Sequence, residues 1–493
     1  MPKKNKNPFL KWGNFRTKSN YRWMVVGMLL MPCFLNYADR QVIFSVFPVL
    51  EKEFGFSKLQ LGMIGSSFMW VYAAGAFLSG FLSDRWPRKS LIVGGCFFWS
   101  LVTACTGGCS KLWQFVVVRA LEGVGEVFYF PASNSLIADY HGLGTRSTAL
   151  SLHQSGVYAG TIVGSWLGAW IAEYYGWRYG FYFLGGLGIV VAVFLGRFLH
   201  EPHHHQGVLK ETFTSRKHSV NPSVECASTN RQSVFKCASS STSLLPSSIS
   251  NLPSPAVVAV SPVSIQPVGR IVALGVLEVF LILMKQPTVI LLMMAFTAAT
   301  FVTGIFLTWM PTFLYEKFSM NLASAGFASV MTIQTASVVS VLFTGWSVDR
   351  LIPKIPHARV LVQMVSLLLG IGSIVAVGYV AHLGTLIVAM VFFGFCKGGY
   401  DSGLYASLYD YVEPSLRGAA AGLMVTFGWS GGALGALVIG AVSSHGVGSS
   451  MDRMSHAIIW SASVYAMAAF LLMGVLLIKV DVQIPFLRRK NLN

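Results

Sequence analysis

Apolar runs of membrane-spanning length recur along the chain. They fall at roughly 24–50, 59–82, 90–109, 112–138, 147–172 and 177–198, then again at roughly 287–314, 322–345, 358–380, 384–411, 417–443 and 455–479. Each is about as long as the helix needed to cross some 30 Å of hydrocarbon, and a helix satisfies its own backbone groups there. Between the two sets the pattern changes. Residues 200–268 are polar, rich in Ser and Pro, and without apolar periodicity, which reads as a disordered linker. The apolar stretch at 269–284 is too short to span and contains Glu278, so an interfacial helix leading into the seventh span is expected. The pattern predicts an all-α membrane protein of twelve transmembrane helices in two six-helix, pseudo-symmetric halves. The expected divisions are a tail at 1–22, a bundle at 23–199, a linker at 200–285, a second bundle at 286–480 and a tail at 481–493.

Composition agrees with lipid as the main solvent. Of 493 residues, 54% are hydrophobic and 11% charged, against about 25% charged in soluble chains. The 49 glycines suit helices that approach closely. The seven cysteines show no CxxC or metal-ligand spacing. His200 with His203, His204 and His205 is read as part of the linker rather than as a metal site. The net charge of +17 could suggest nucleic acid, but its placement points to a membrane. Residues 1–22 hold seven basic side chains and no acid, beside the first apolar run. That run is too long for a signal peptide and holds Asn36, Asp39 and Arg40. The termini and the loops after spans 2, 4, 6, 8 and 10 carry 27 of the 36 Lys and Arg residues. Opposite loops hold only Lys52, Lys58, Lys111, Arg178, Lys317 and Arg453, so both termini are expected in the cytoplasm.

The halves are related to one another. Gly80-Phe-Leu-Ser-Asp84-Arg85 after span 2 recurs as Gly345-Trp-Ser-Val-Asp349-Arg350 after span 8, an offset of 265. Asp139-Tyr140 with Arg146 recurs as Asp410-Tyr411 with Arg417, an offset of 271. Such a duplication about an axis along the membrane normal is a transporter architecture. The first loop continues through Arg88 and Lys89 and fits the G-x-x-x-D-R-x-x-R-K signature of the major facilitator superfamily. Its physical sense is gating: a small residue admits close approach, the acid can hold one side shut, and the basic residues fix topology.

Ionisable residues within the spans are the candidate site. Asp39 and Arg40 lie in span 1, and Arg119, Glu122 and Glu126 share one face of span 4. Lys397 and Asp401 lie one turn apart in span 10. A charge at mid-membrane costs several kcal/mol unless it is paired or wetted, so such residues either bind solutes or orient helices as ion pairs.

Asn36-Tyr-Ala-Asp39-Arg40 and Arg119-Ala-Leu-Glu-Gly-Val-Gly-Glu126, ending at Phe130-Pro131, resemble the anion:cation symporter family. Leu307-Thr-Trp-Met-Pro-Thr312 and the glycine-rich spans 5 and 11 are similar too. The resemblance implies proton carriage by Asp39 and Glu126, a substrate-carboxylate grip by Arg40, tuning of the acids by Arg119, and a cavity tyrosine at Tyr72. Glu122 adds a third carboxylate, and Lys397 is a cation not expected in that family. At the 271 offset Lys397 is the equivalent of Glu126, so the two are candidates to face one another across the cavity, as a coupling pair or as part of an altered substrate site. Gln154, with Asp401 and Lys397, is a further candidate for a polar substrate; His153 beside it is read as structural.

The NYxDR and RxxxGVGE patterns also resemble the spinster-type lipid carriers. No Walker motif, nucleophile elbow or metal constellation is present, so no enzyme activity is expected. The expectation is a proton-coupled symporter of a small organic anion in the plasma or inner membrane. Partners would be that anion and the bilayer but no nucleic acid, the chain acting as a monomer without a cofactor beyond the proton. A spinster-like lysolipid carrier and a non-transporting sensor are the alternatives.

Overall fold

The computed structural model describes residues 19–83, 86–141, 143–201, 276–355, 357–413, 416–446 and 448–478. The unit His203–Leu274 lies outside them, and with it nearly all of the expected linker. In the first half, α1 (Ser19–Ser45) and α2 (Phe47–Phe54) form span 1, α3 (Lys58–Ser83) span 2 and α4 (Arg88–Thr106) span 3. Span 4 is α5 (Leu112–Glu126) with α6 (Tyr129–Tyr140), span 5 is α7 (Leu143–Tyr174) and span 6 is α8 (Trp177–Phe198). A short α9 (Val276–Met284) precedes the second half. There, α10 (Pro287–Lys317), α11 (Leu322–Leu351) and α12 (Ala358–Tyr379) are spans 7 to 9. Span 10 is α13 (Leu383–Asp401) with α14 (Leu404–Tyr411), followed by α15 (Arg417–Ser444) and α16 (Ser450–Leu477) as spans 11 and 12. The end of the bundle where α1 begins and α16 ends is termed the base; the other end is the apex.

Nine of these spans are long and apolar enough to cross a membrane by composition alone. The remaining three are spans 1, 4 and 5: the first two carry the cluster of buried charges, and span 5 packs along span 1. Spans 1, 4 and 10, which read as continuous runs, are each broken. Pro48 at the start of α2 cannot donate to the Phe44 carbonyl, and the helix bends at Val46. Pro131 lies in the first turn of α6, where its missing N–H has no acceptor within its own helix. Span 10 breaks at Ser402–Gly403 without a proline, at a residue that leaves the helix at little steric cost. Glu126 and Asp401 are the last residues before the breaks in spans 4 and 10.

Glycine sets how closely the helices pack. A Cβ on Gly160 would lie 2.2 Å from the Phe34 carbonyl oxygen, and one on Gly164 would lie 2.5 Å from that of Ala38. Span 5 is thereby pressed against span 1 at the height of Asp39 and Arg40. Contacts between the halves are closest at the apex, and along spans 2 and 11 they continue past mid-height, where Thr426 Oγ1 donates to Ala73 O at 2.8 Å. Gly62 meets the Ala436 carbonyl, Gly440 meets that of Lys58, and Ser165 Oγ donates to Gly326 O at 2.7 Å. Lys58 Nζ bonds both Glu51 and Glu316, the latter in the opposite half. At the base, by contrast, a Cβ on Gly345 would meet no atom of the described residues within 4 Å. The apolar stretch before span 7 is the helix α9, packed on spans 7 and 11 with Phe280 6.4 Å from Phe77 of span 2.

Candidate functional site

The bend in span 1 and the break in span 4 place five ionisable side chains together. Asp39 and Arg40 point inward from α1, and Arg119, Glu122 and Glu126 meet them from α5, which repeats every three to four residues on one face. None of the five is more than 5% exposed. Arg40 Nε donates to Glu126 Oε2. Arg119 Nη1 donates to Glu122 Oε2 at 2.5 Å. Thr103 Oγ1, from span 3, stands 3.5 Å from Asp39 Oδ2 and 3.4 Å from Glu122 Oε1. One hydroxyl proton serves only one of these acceptors at a time.

The pairing is incomplete. Asp39 Oδ1, Glu126 Oε1, Arg40 Nη1 and Arg119 Nε and Nη2 are buried without a hydrogen-bond partner. With all five ionised, two guanidinium groups face three carboxylates, an excess of one negative charge in a low-dielectric interior. The cluster therefore has the capacity to take a proton and to offer a guanidinium edge to an anion.

Aromatic rings surround Arg40. Its Cζ lies 4.5 Å from the Tyr37 ring centroid, 4.7 Å from Tyr72 and 5.0 Å from both Phe68 and Trp429. Phe68 also lies 5.0 Å from Arg119 Cζ, so one ring serves both cations. Trp429 belongs to span 11, which makes it a contact from the second half on the first-half cation. Rings on the guanidinium faces leave its edge to oxygen acceptors.

The second-half residues stand apart. Lys397 Nζ donates to Asp401 Oδ2 at 2.6 Å on its own helix, while Glu126 is held by Arg40. Glu126 and Lys397 are not bonded to one another; each has a partner within its own half. Gln154 is exposed and does not join the Arg40 cluster; it lies one turn before Tyr158, which is within electrostatic reach of Lys397 and Asp401. His153 is buried with Nε2 3.0 Å from the Tyr129 hydroxyl.

Of the gating residues, Asp84 and Arg85 lie outside the described residues, and Gly80 lies within α3. Arg88 bonds Asp139, and its backbone N–H donates to Glu201 at 2.8 Å. Lys89 is half-buried, Asp349 is exposed, and Arg350 stacks 3.7 Å from the Trp346 ring. The partner of Arg88–Asp139 in the second half is Arg359–Asp410, at 2.7 Å. Arg359 had a signal, the 271 offset from Arg88. Thr103, Phe68 and Trp429 had none, because an aromatic or a threonine in an apolar run looks like ordinary core. Among the described residues, no three acidic, histidine or cysteine side chains gather as a metal site.

The profile of the Major Facilitator Superfamily matches residues 29–366. The chain belongs to the Major Facilitator Superfamily. Within that superfamily it is 26% identical over 435 residues to the sodium-dependent phosphate transport protein 1, chloroplastic, of Arabidopsis thaliana, covering 86% of this chain and 74% of that one. It is 30% identical over 200 residues to a probable galactarate/D-glucarate transporter of Escherichia coli (strain K12), covering 39% of this chain; the match spans only 44% of that relative's length. Human spinster homolog 1 is 31% identical over 182 residues, covering 36% of this chain and 34% of that one. In fold, the chain is similar to a bacterial spinster homologue in an inward-facing, unoccupied conformation, with a TM-score of 0.70 and 18% identity over 93% of this chain and 97% of that one. This major facilitator chain is thus a multi-pass membrane transporter and not an enzyme.

Proposed function

We propose that this transporter carries a small organic anion, a sugar acid or other carboxylate, together with a proton. The observation that carries the reading is the buried Arg40–Glu126 pair, with Arg40 Nη1 left without a hydrogen-bond partner. A carboxylate that takes Arg40 Nη1 shares the guanidinium charge with Glu126 and weakens the ion pair. Glu126 is then less compensated in an apolar interior, and protonation removes the cost of its charge. Anion and proton are bound as one event. Asp39 and Glu122, with Arg119 between the acids, form the rest of the proton-binding set. Lys397, Asp401 and Gln154 offer polar contacts to the far end of the substrate.

The sugar-acid and anion carriers among the relatives support this substrate class. The basic tail and loops at the base orient it toward the cytoplasm, and the closed apex toward the outside. Transport then proceeds by rocking of the two halves. The spinster likenesses support a second reading, an amphiphile with one ionised group held in the same aromatic surround of Arg40. Proteoliposome uptake tests both. A panel of sugar acids and simple carboxylates should enter faster under an imposed proton gradient. Uptake driven by sodium, or confined to lysolipids, would overturn the proposal.

A further inference from the structure

Pro311 sits inside α10 and has no N–H to give to the Leu307 carbonyl four residues earlier. A carbonyl freed in this way within a membrane protein must find another donor. The donor comes from the other half of the molecule. Gln41 Nε2, in span 1, donates to Leu307 O at 2.9 Å, and Gln41 is only 3% exposed. Aromatic side chains pack around this bond. Phe47 lies 5.5 Å from the Trp309 ring, and the Trp309 indole donates to Ala436 O at 3.0 Å. The hydroxyls of Thr308 and Thr312 are buried nearby on α10 without partners.

We infer that Gln41 is a positioning residue that holds the two halves together toward the apex by supplying the hydrogen bond that Pro311 withholds. The bond joins span 1 to span 7, so it exists only while those spans are in contact. When the apex opens, Leu307 O must turn to water that enters the parted seam. The proline makes one carbonyl dependent on the opposite half, and the glutamine reads that dependence. Gln41 also follows Arg40 directly in α1, so a displacement of span 1 on loading the site reaches this contact without an intermediary. The inference holds for whatever solute is carried.

The test is a double-variant cycle. Gln41→Leu leaves Leu307 O without its donor, whereas Pro311→Ala returns an N–H within α10 that can reach the same carbonyl. Spin labels at the exposed apex positions Lys52→Cys and His382→Cys, one in each half, with the native cysteines replaced, report apex opening in proteoliposomes. Gln41→Leu should raise the apex-open share about fivefold. Adding Pro311→Ala should return the distribution to that of the parent, and in the Pro311→Ala background Gln41→Leu should have no effect. An unchanged distribution in Gln41→Leu, or a shift that Pro311→Ala does not reverse, overturns the inference. Should Gln41→Leu alone fail to reach the membrane, recovery of a folded chain by adding Pro311→Ala supports the assignment, and failure to recover it refutes it.

Discussion

At the scale of single residues, the chemistry rests on how two arginines divide three carboxylates. Arg40 is gripped by Glu126 on one edge and by rings on its faces. Lysine keeps the charge but cannot present a planar fork or stack in the same manner. Arg40→Lys should therefore weaken apparent substrate affinity at least tenfold, about 1.4 kcal/mol, as read from concentration dependence of uptake. Wild-type kinetics in that variant would remove Arg40 from the substrate site. Asp39→Asn and Glu126→Gln are near-isosteric and delete proton binding. Gradient-driven uptake should be lost in both, while solute counterflow, which needs no net proton movement, should survive in at least one. Persistent gradient-driven uptake in the double variant would transfer coupling to Glu122 or to Asp401 with Lys397. The five charged positions were legible in the sequence because a charge inside an apolar run has no innocent reading. Their pairing was not, since three acids on neighbouring helices could each have taken either arginine.

At the scale of elements, glycine decides where each charge stands. Gly164 lies against Ala38, with the position of a Cβ only 2.4 Å from Ala38 Cα. The next two residues of α1 are Asp39 and Arg40, so the crossing of spans 1 and 5 sets the height of the site. Gly164→Val should force the helices apart, an overpacking cost of about 1–3 kcal/mol, with a lower melting temperature in detergent and a loss of uptake. Gly345→Ala, whose Cβ would meet no atom of the described residues within 4 Å, should leave the melting temperature unchanged. Equal destabilisation by both would show that the crossing at Gly164 has no special tightness. Helix existence was legible from the apolar runs, and the breaks in spans 1 and 4 were foreshadowed by Pro48 and Pro131. The break in span 10 had only glycine as a signal, and glycine is common throughout these spans.

At the scale of the whole molecule, ion pairs occupy different ends for different purposes. Arg88–Asp139 and Arg359–Asp410 each tie two spans within one half, at matching positions near the base. Lys58 joins the halves, buried between Glu51 of span 1 and the partly exposed Glu316 of span 7. Lys58→Met removes the cation from two carboxylates that water can still reach in part, a loss of about 1–2 kcal/mol to the closed apex. The apex-open share should rise roughly fivefold or more on the same labelled distance. No change would mean that the helix packing at Gly62 and Gly440 closes the apex without Lys58.

Sequence by itself determined the solvent, the number and order of spans, the duplication and the set of mid-membrane charges. Each of these follows from local composition or from a repeat in register, and neither depends on which helix lies beside which. Tertiary structure alone decided the partners. Glu126 met Arg40 and not Lys397, because the two equivalent helices lie in different halves and each charge found a counter-ion within its own half. Trp429 reached Arg40, and Gln41 reached a carbonyl some 266 residues away, through contacts between halves. Such contacts change as the halves rock, so no run of residues can encode them locally. A backbone carbonyl freed by a proline calls for a donor, but the chain states only that the need exists; the packing of spans decides what meets it.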